Sequence, residues 1–361
     1  MKAVVIAFDR LSSWLLGCYG NGEICTPSFD RLAAESVVFD QHFGENFDST
    51  AFNHAWWTGR YQFRLTPEQQ AACPHVIDLL RANGVETWLI RESSGKDIVP
   101  GQTEFDHSVE FDTISDDDEF GCRCRNAIDE WASDNQTAGL LWLQSPGLTP
   151  LGRGRPVADG LGGAEPGESL LSVSERKNSV ETLDRRLGTV LEILDGTAIE
   201  DLLTIVTAAS GSLVGDRSDF LSGERFLTEE QIHTPLLIRE SDGGSRRQSL
   251  VQTIDLPPTL LDWFGAADRL PRCDGNSLLP LLRGESTGIH EWLFLGDGAG
   301  HAAIRTSSWY LIVESQDSER LFAKPDDVWD ILDVAVQAPQ ETARLKERLE
   351  NFVMKSGPVP N

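Results

Sequence analysis

The stretch FDRLSSWLLGCYGNGEICTPSFDRLAAESVVFDQHF, residues 8–43, decides the fold of this chain. It follows the apolar, β-rich run AVVIAF (3–8), which reads as a buried first strand beginning almost at Met1. That strand ends on Asp9-Arg10, and a loop containing LGCYGN (16–21) follows. Residues 31–38 (RLAAESVV) then read as a short helix running into a second strand. Strand, loop, helix and strand in that order open an α/β chain.

Further along, PHVIDLLRAN (74–83) is an amphipathic helix closed by Gly84, and VETWLI (85–90) is a strand. NAIDEWASD (126–134) reads as a helix, GLLWLQS (139–145) as a strand and ERKNSVETLDRRLGTVLEILD (175–195) as a long helix. DLLTIVTAA (201–209) is the most apolar strand, and TPLLIRE (234–240) is another. The alternation predicts a mostly parallel sheet covered on both faces. Residues 146–169, rich in Gly and Pro, read as a long loop after which the α/β pattern resumes. From about residue 290 the pattern changes to short antiparallel strands (EWLFLGD, AAIRTSS, WYLIVES, RLFAKP) and a terminal helix at 340–353. The expected organisation is an α/β domain over 1–288 and a small α+β subdomain over 289–361.

With 361 residues, 40% of them hydrophobic and 24% charged, the chain can bury a large core. Its net charge of −26 opposes binding to nucleic acid, to anionic membranes and to small anionic ligands. The first apolar run is too short for a signal peptide, so the expected location is the cytoplasm. Cys18, Cys25, Cys73, Cys122, Cys124 and Cys273 are scattered, which favours free thiols, and Cys122-Arg-Cys124 reads as a surface pair.

Three segments, 8–43, AWWTGR (55–60) and IDLPPTLLDWFGAADRLPRCDGNSLLPLLRGE (254–285), together with IHTPLLIRE (232–240), resemble the sulfatases of the alkaline-phosphatase superfamily. The resemblance runs in register over essentially the whole chain. It implies a large mixed, mostly parallel sheet between helices and a small C-terminal four-stranded unit. It also implies a site that binds a divalent cation, usually calcium, beside a Cys or Ser that is matured to formylglycine.

Set against that pattern, the chemistry is missing position by position. Of four expected ligand positions, Asp9 keeps its carboxylate while Arg10, Ala209 and Ser210 stand at the others. Hard cations need several oxygen ligands, so no metal is expected, and Asp9 reads as a strand-end residue. The nucleophile position aligns with Ser49, but the Pro and Arg of its C/S-x-P-x-R motif align with Ala51 and Asn53. Ser49 is therefore expected to remain an unactivated serine capping a helix. The family's Lys and His align with Glu92 and Ser94, a second His with Gly147 and the late Lys with Glu224. The two glutamates would pair with Arg10 or Arg225, Arg10 supplying the positive charge in place of a cation.

Chance Ser/His/Asp sets, Ser210/His233/Asp216 and Ser49/His54/Asp48, lack a nucleophile elbow. Trp56-Trp57 reads as core. The sequence therefore points to a sulfatase-like protein that has lost hydrolysis and works by binding, as a scaffold or with a protein partner or a second copy, without a cofactor. Two readings stay open beside it. One is an active sulfuric- or phosphoric-ester hydrolase with a rebuilt site and a cation such as calcium. The other is a structural subunit of an assembly.

Overall fold

The computed structural model describes residues 1–46, 55–93, 105–114, 116–134, 136–148, 172–211, 227–240, 243–270, 272–296, 300–315 and 318–354. In chain order the large sheet contains β1 (Lys2–Arg10), β2 (Val37–Phe43), β3 (Glu86–Ser93), β4 (His107–Asp112), β5 (Gly139–Ser145), β6 (Leu202–Ser210), β7 (Leu236–Arg239) and β8 (Ser245–Gln252). A second sheet contains β9 (Leu293–Gly296), β10 (Ala302–Arg305), β11 (Trp309–Ser315) and β12 (Ser318–Ala323). The longer helices are α1 (Pro27–Glu35), α2 (Val76–Ala82), α3 (Asp117–Ser133), α4 (Val173–Asp195), α5 (Leu256–Trp263) and α6 (Pro339–Met354).

β1 is central because it is apolar on both faces. Val4, Ile6 and Phe8 enter one hydrophobic core, while Ala3, Val5 and Ala7 enter the core on the opposite face. It pairs in parallel with β5 on one side and β6 on the other. The full order is β4-β3-β5-β1-β6-β7-β2-β8, with β7 antiparallel to both of its neighbours and the remaining pairings parallel. The expected α/β class, with its mixed, mostly parallel sheet, is what the chain adopts. Trp56 and Trp57 pack on Trp142 of β5, with ring centroids 5.5 and 4.4 Å away, so that pair is core as expected.

Two strands escape the sequence reading, β4 (HSVEFD) and β8 (SRRQSLVQ). Both lie at sheet edges, where polar and charged residues are placed because one side faces solvent. The helix read at 126–134 begins earlier, at Asp117, with Asp116 accepting a hydrogen bond from the Asp118 N–H. Its acidic first turn is a complement to the helix dipole rather than a charged loop. All six cysteines are free, but Cys124 is buried, so only Cys122 of the C-x-C pair is a surface thiol. Among the described residues no helix is long and apolar enough to cross a membrane.

The small antiparallel sheet, in the order β12-β11-β10-β9, packs two ways. Leu293, Leu295, Ala303, Tyr310, Ile312 and Phe322 face Phe43, Leu227 and Leu250 of the large unit, whereas Ile304, Leu311 and Leu321 face Leu345 and Leu349 of α6. The described Gly-bearing motifs supply the joints. The Gly59 carbonyl accepts from the Asp274 N–H at 2.8 Å, and Arg60 Nε donates to Asp274 Oδ2 at 2.9 Å. Asp255 accepts from the Gln252 and Asn276 N–H groups, both at 2.8 Å, and from His290 Nε2 at 2.8 Å. Gly275 has to be glycine, since a Cβ would lie 2.0 Å from the Ile254 carbonyl oxygen. TGR, DLPPTLL and DGNSLL thus persist as a backbone joint.

Candidate functional site at the strand ends

Because β3, β5, β1 and β6 are neighbouring and parallel, their carboxyl ends come together, as in open α/β sheets that bind ligands. Asp9 and Arg10 end β1, Glu92 is near the end of β3, Ser145 ends β5 with Gly147 just beyond, and Ala209 and Ser210 end β6. The structure therefore brings together six of the ten residues the sequence singled out. Ser49, Asn53, Ser94 and Glu224 lie outside the described residues, as do Asp48, His54, Asp216 and Arg225.

Each group has a specific use. Asp9 Oδ1 accepts from Gln144 Nε2 at 2.7 Å. Arg10 is half-buried and pairs with Ser210 across the β1–β6 ladder. The Ser210 hydroxyl donates to the Asp9 carbonyl oxygen at 3.2 Å, and Ala209 is completely buried in the core. His233 does not approach Ser210 as a base. Its Nε2 lies 2.9 Å from the Asp40 carbonyl oxygen and its ring stacks on Phe43. Burial pushes the His233 imidazole below its usual range, against the pull of Glu229.

Glu92 departs from expectation. Among the described residues it pairs with Arg186 of α4, which the sequence reading did not consider, with Nη1 2.9 Å from Glu92 Oε1. The same guanidinium donates through Nε to Asp117 at 3.0 Å, donates through Nη2 to the Ile114 carbonyl and lies over the Phe120 ring. Glu92 also accepts from the Ile114 N–H and the Ser145 hydroxyl, each at 3.2 Å. Glu92 and Arg186 are both buried, so their charges are matched internally rather than presented to a ligand. Arg10 was chosen from sequence because it adjoins Asp9, the position where a cation would otherwise supply the positive charge. The signal for Arg186 was its place on the apolar stripe of α4, between Leu183 and Val190 at helical spacing. A cation on a buried stripe needs a buried anion.

Gly147 is equally constrained. It adopts φ +67°, and a Cβ there would stand 2.4 Å from the Arg10 carbonyl oxygen. A histidine of the family type cannot occupy this backbone as it stands. Gly147→Ala is expected to lose about 1–3 kcal/mol by strain at a left-handed position. Equal urea midpoints for Gly147→Ala and the parent would show that the loop relaxes.

The donors described here do not fit a hard divalent cation. Asp9 is the single carboxylate among the four positions where the resemblance implies ligands, and it is engaged with an amide. Among the described residues no group of three or more His, Cys, Asp or Glu side chains is placed to hold a metal ion.

An eight-stranded mixed sheet joined to a four-stranded antiparallel sheet is the architecture of the alkaline-phosphatase superfamily. The sulfatase family model matches residues 2–138 and 126–266, well over half of the chain, and the protein belongs to the sulfatase family. Among curated relatives, the multifunctional alkaline phosphatase superfamily protein PehA of Trinickia caryophylli is 35% identical over 109 residues, 28% of this chain and 20% of that protein. Human arylsulfatase H is 41% identical over 61 residues, 17% of this chain and 11% of its own length. The alignments thus span a fifth or less of these relatives. Among solved structures, the putative sulfatase yidJ from Bacteroides fragilis superposes with TM-score 0.75 at 16% identity, covering 98% of this chain and 95% of that one. The phosphonate monoester hydrolase of Agrobacterium radiobacter gives 0.69 at 15% identity, covering 98% and 96%. At such identities the likeness is one of fold.

Proposed function

We propose that this sulfatase-family protein does not carry out metal-dependent ester hydrolysis and works instead by binding, as a partner or scaffold protein. The observation that carries this reading is how the strand-end groups are used. Asp9 is engaged with Gln144, Glu92 is neutralised by Arg186, the Ser210 hydroxyl is turned to a backbone carbonyl, and Ala209 offers no donor atom. Sulfate or phosphoryl transfer needs fixed positive charge on the anionic group and an activated nucleophile. The charge beside Glu92 is already matched, and the Ser49 stretch lacks the Pro and Arg that accompany maturation in the resembled motif. The chain's net charge of −26 adds long-range repulsion for such substrates.

Purified protein is expected to carry far less than one equivalent of calcium, magnesium, manganese or zinc, and a chelator should leave its melting temperature unchanged. Intact mass should show unmodified Ser49, and Ser49→Ala should cost only a lost helix cap, about 1 kcal/mol. Stoichiometric metal, together with an aryl sulfate or phosphonate ester turnover abolished by Ser49→Ala at unchanged melting temperature, would establish the rebuilt hydrolase instead.

A further inference from the structure

The segment between β12 and α6 carries a concentrated apolar patch. Of the seven large hydrophobic residues exposed among the described residues, four lie here: Val328, Ile331, Leu332 and Val336, with Ile331 at 67% and Val336 at 89% exposure. The backbone that carries them is held by hydrogen bonds. The Asp327 carboxylate accepts from the Ile331 and Leu332 N–H groups at 3.0 and 2.9 Å, and Asp333 accepts from the Leu321 and Ala335 N–H groups at 3.0 and 2.9 Å. Between them Asp330 is buried and bonded to Lys324 Nζ at 2.7 Å, and Trp329 packs edge-on against Trp14 at 5.5 Å. The aliphatic side chains are thus held out on a rigid support, which lowers the ordering cost of binding.

The charge around the patch selects the occupant. Asp326, Asp327 and Asp333 form no ion pair among the described residues. A second copy of a chain with net charge −26 would be repelled, and four side chains fall short of the roughly 800 Å² per partner of a stable globular interface. A short segment suits both size and charge. We infer that residues 326–336 form a docking surface for a basic amphipathic helix of a partner protein. Its apolar face covers Val328, Ile331, Leu332 and Val336, and its Lys or Arg residues meet the three aspartates. This rests on the binding role proposed above and gives that role a surface.

The test is fluorescence titration of the full chain with a synthetic helical peptide bearing leucines at i, i+3, i+4 and i+7 and lysines elsewhere. A peptide of the same composition in scrambled order serves as control. Saturable one-to-one binding of the amphipathic peptide is expected, with Ile331→Asp/Leu332→Asp weakening it about tenfold or more. The substitutions add two negative charges, so attraction by charge alone would strengthen. Unchanged or tighter binding by the variant, or equal binding of the scrambled peptide, overturns the inference. So does a parent dimer in sedimentation that the variant abolishes, which would assign the patch to a second copy. If the double variant does not fold, Val336→Asp, at the most exposed position, is read in the same way. Metal content and ester turnover are independent of these variants, so a failed docking surface and a failed binding role give different results.

Discussion

Arg186→Met is expected to destabilise the protein by about 3–5 kcal/mol, because it leaves the Glu92 carboxylate buried without a cation. Glu92 has 2% of its side chain exposed and Arg186 9%, so solvent cannot take over the lost interaction. The change also removes the Nε bond to Asp117 at the start of α3 and the Nη2 bond to the Ile114 carbonyl, which fix the β4–α3 turn. Replacing both partners, as in Glu92→Leu/Arg186→Met, should recover much of the loss, since an apolar pair of similar volume carries no desolvation cost. Glu92→Lys, which restores the residue type of the resembled enzymes, should be worse than Glu92→Leu, because it sets two cations against each other in a buried corner. Urea unfolding of the singles and the double variant measures these terms. A loss near zero for Arg186→Met would mean that Glu92 finds another partner and that this corner is free for chemistry.

The second large effect is at the joint between the two sheets. Lys324 Nζ lies 2.7 Å from Asp330 and 3.1 Å from Glu229, and all three side chains are buried. Arg305 approaches Glu229 at 3.5 Å, while its Nε and Nη1 have no hydrogen-bond partner among the described residues. Burial would raise the Glu229 carboxyl, but Arg305 and Lys324 outweigh it and hold it below the usual range. For Asp330, burial and then the Glu229 charge push the carboxyl up to about 6. A carboxyl raised in the folded state binds its proton more tightly there than in the unfolded chain. Asp330 therefore favours folding most at low pH, and that contribution is withdrawn as pH rises from the ordinary carboxylate range through about 6. Lys324→Met should cost about 3–5 kcal/mol at neutral pH. The cost should shrink towards pH 5, where Asp330 takes up a proton and no longer needs a cation. A penalty that is flat with pH, or that grows on acidification, would show that Glu229 rather than Asp330 governs the joint.

The two corners differ in what the sequence could show. Lys324 and Asp330 are near in sequence, but Glu229 comes from a short helical turn after the large sheet's β6 and Arg305 from a strand of the small sheet, and nothing local links them. Likewise Arg186 and Glu92 are 94 positions apart, and only the packing of α4 across the ends of β3 and β5 joins them. Choosing Arg10 or Arg225 for Glu92 followed the convergence of positions that the resemblance implies, whereas a buried charge is matched by whichever element packs against it.

By itself the sequence determined the class of fold, the central strands and the small C-terminal sheet. A strand buried on both faces must be written as an unbroken apolar run, and glycine and proline must punctuate the turns. It also determined the side-chain chemistry at the positions the resemblance singles out, since a methyl group at 209 or a guanidinium at 10 cannot act as an oxygen ligand in any fold. Only the tertiary structure decided how the remaining polar groups are used. It also decided that β4 and β8 close the sheet, that Gly147 lies against the Arg10 backbone and that Val328, Ile331, Leu332 and Val336 stand outside it. Pairing, close approach and exposure depend on elements distant in sequence, and the local pattern of residues does not encode them.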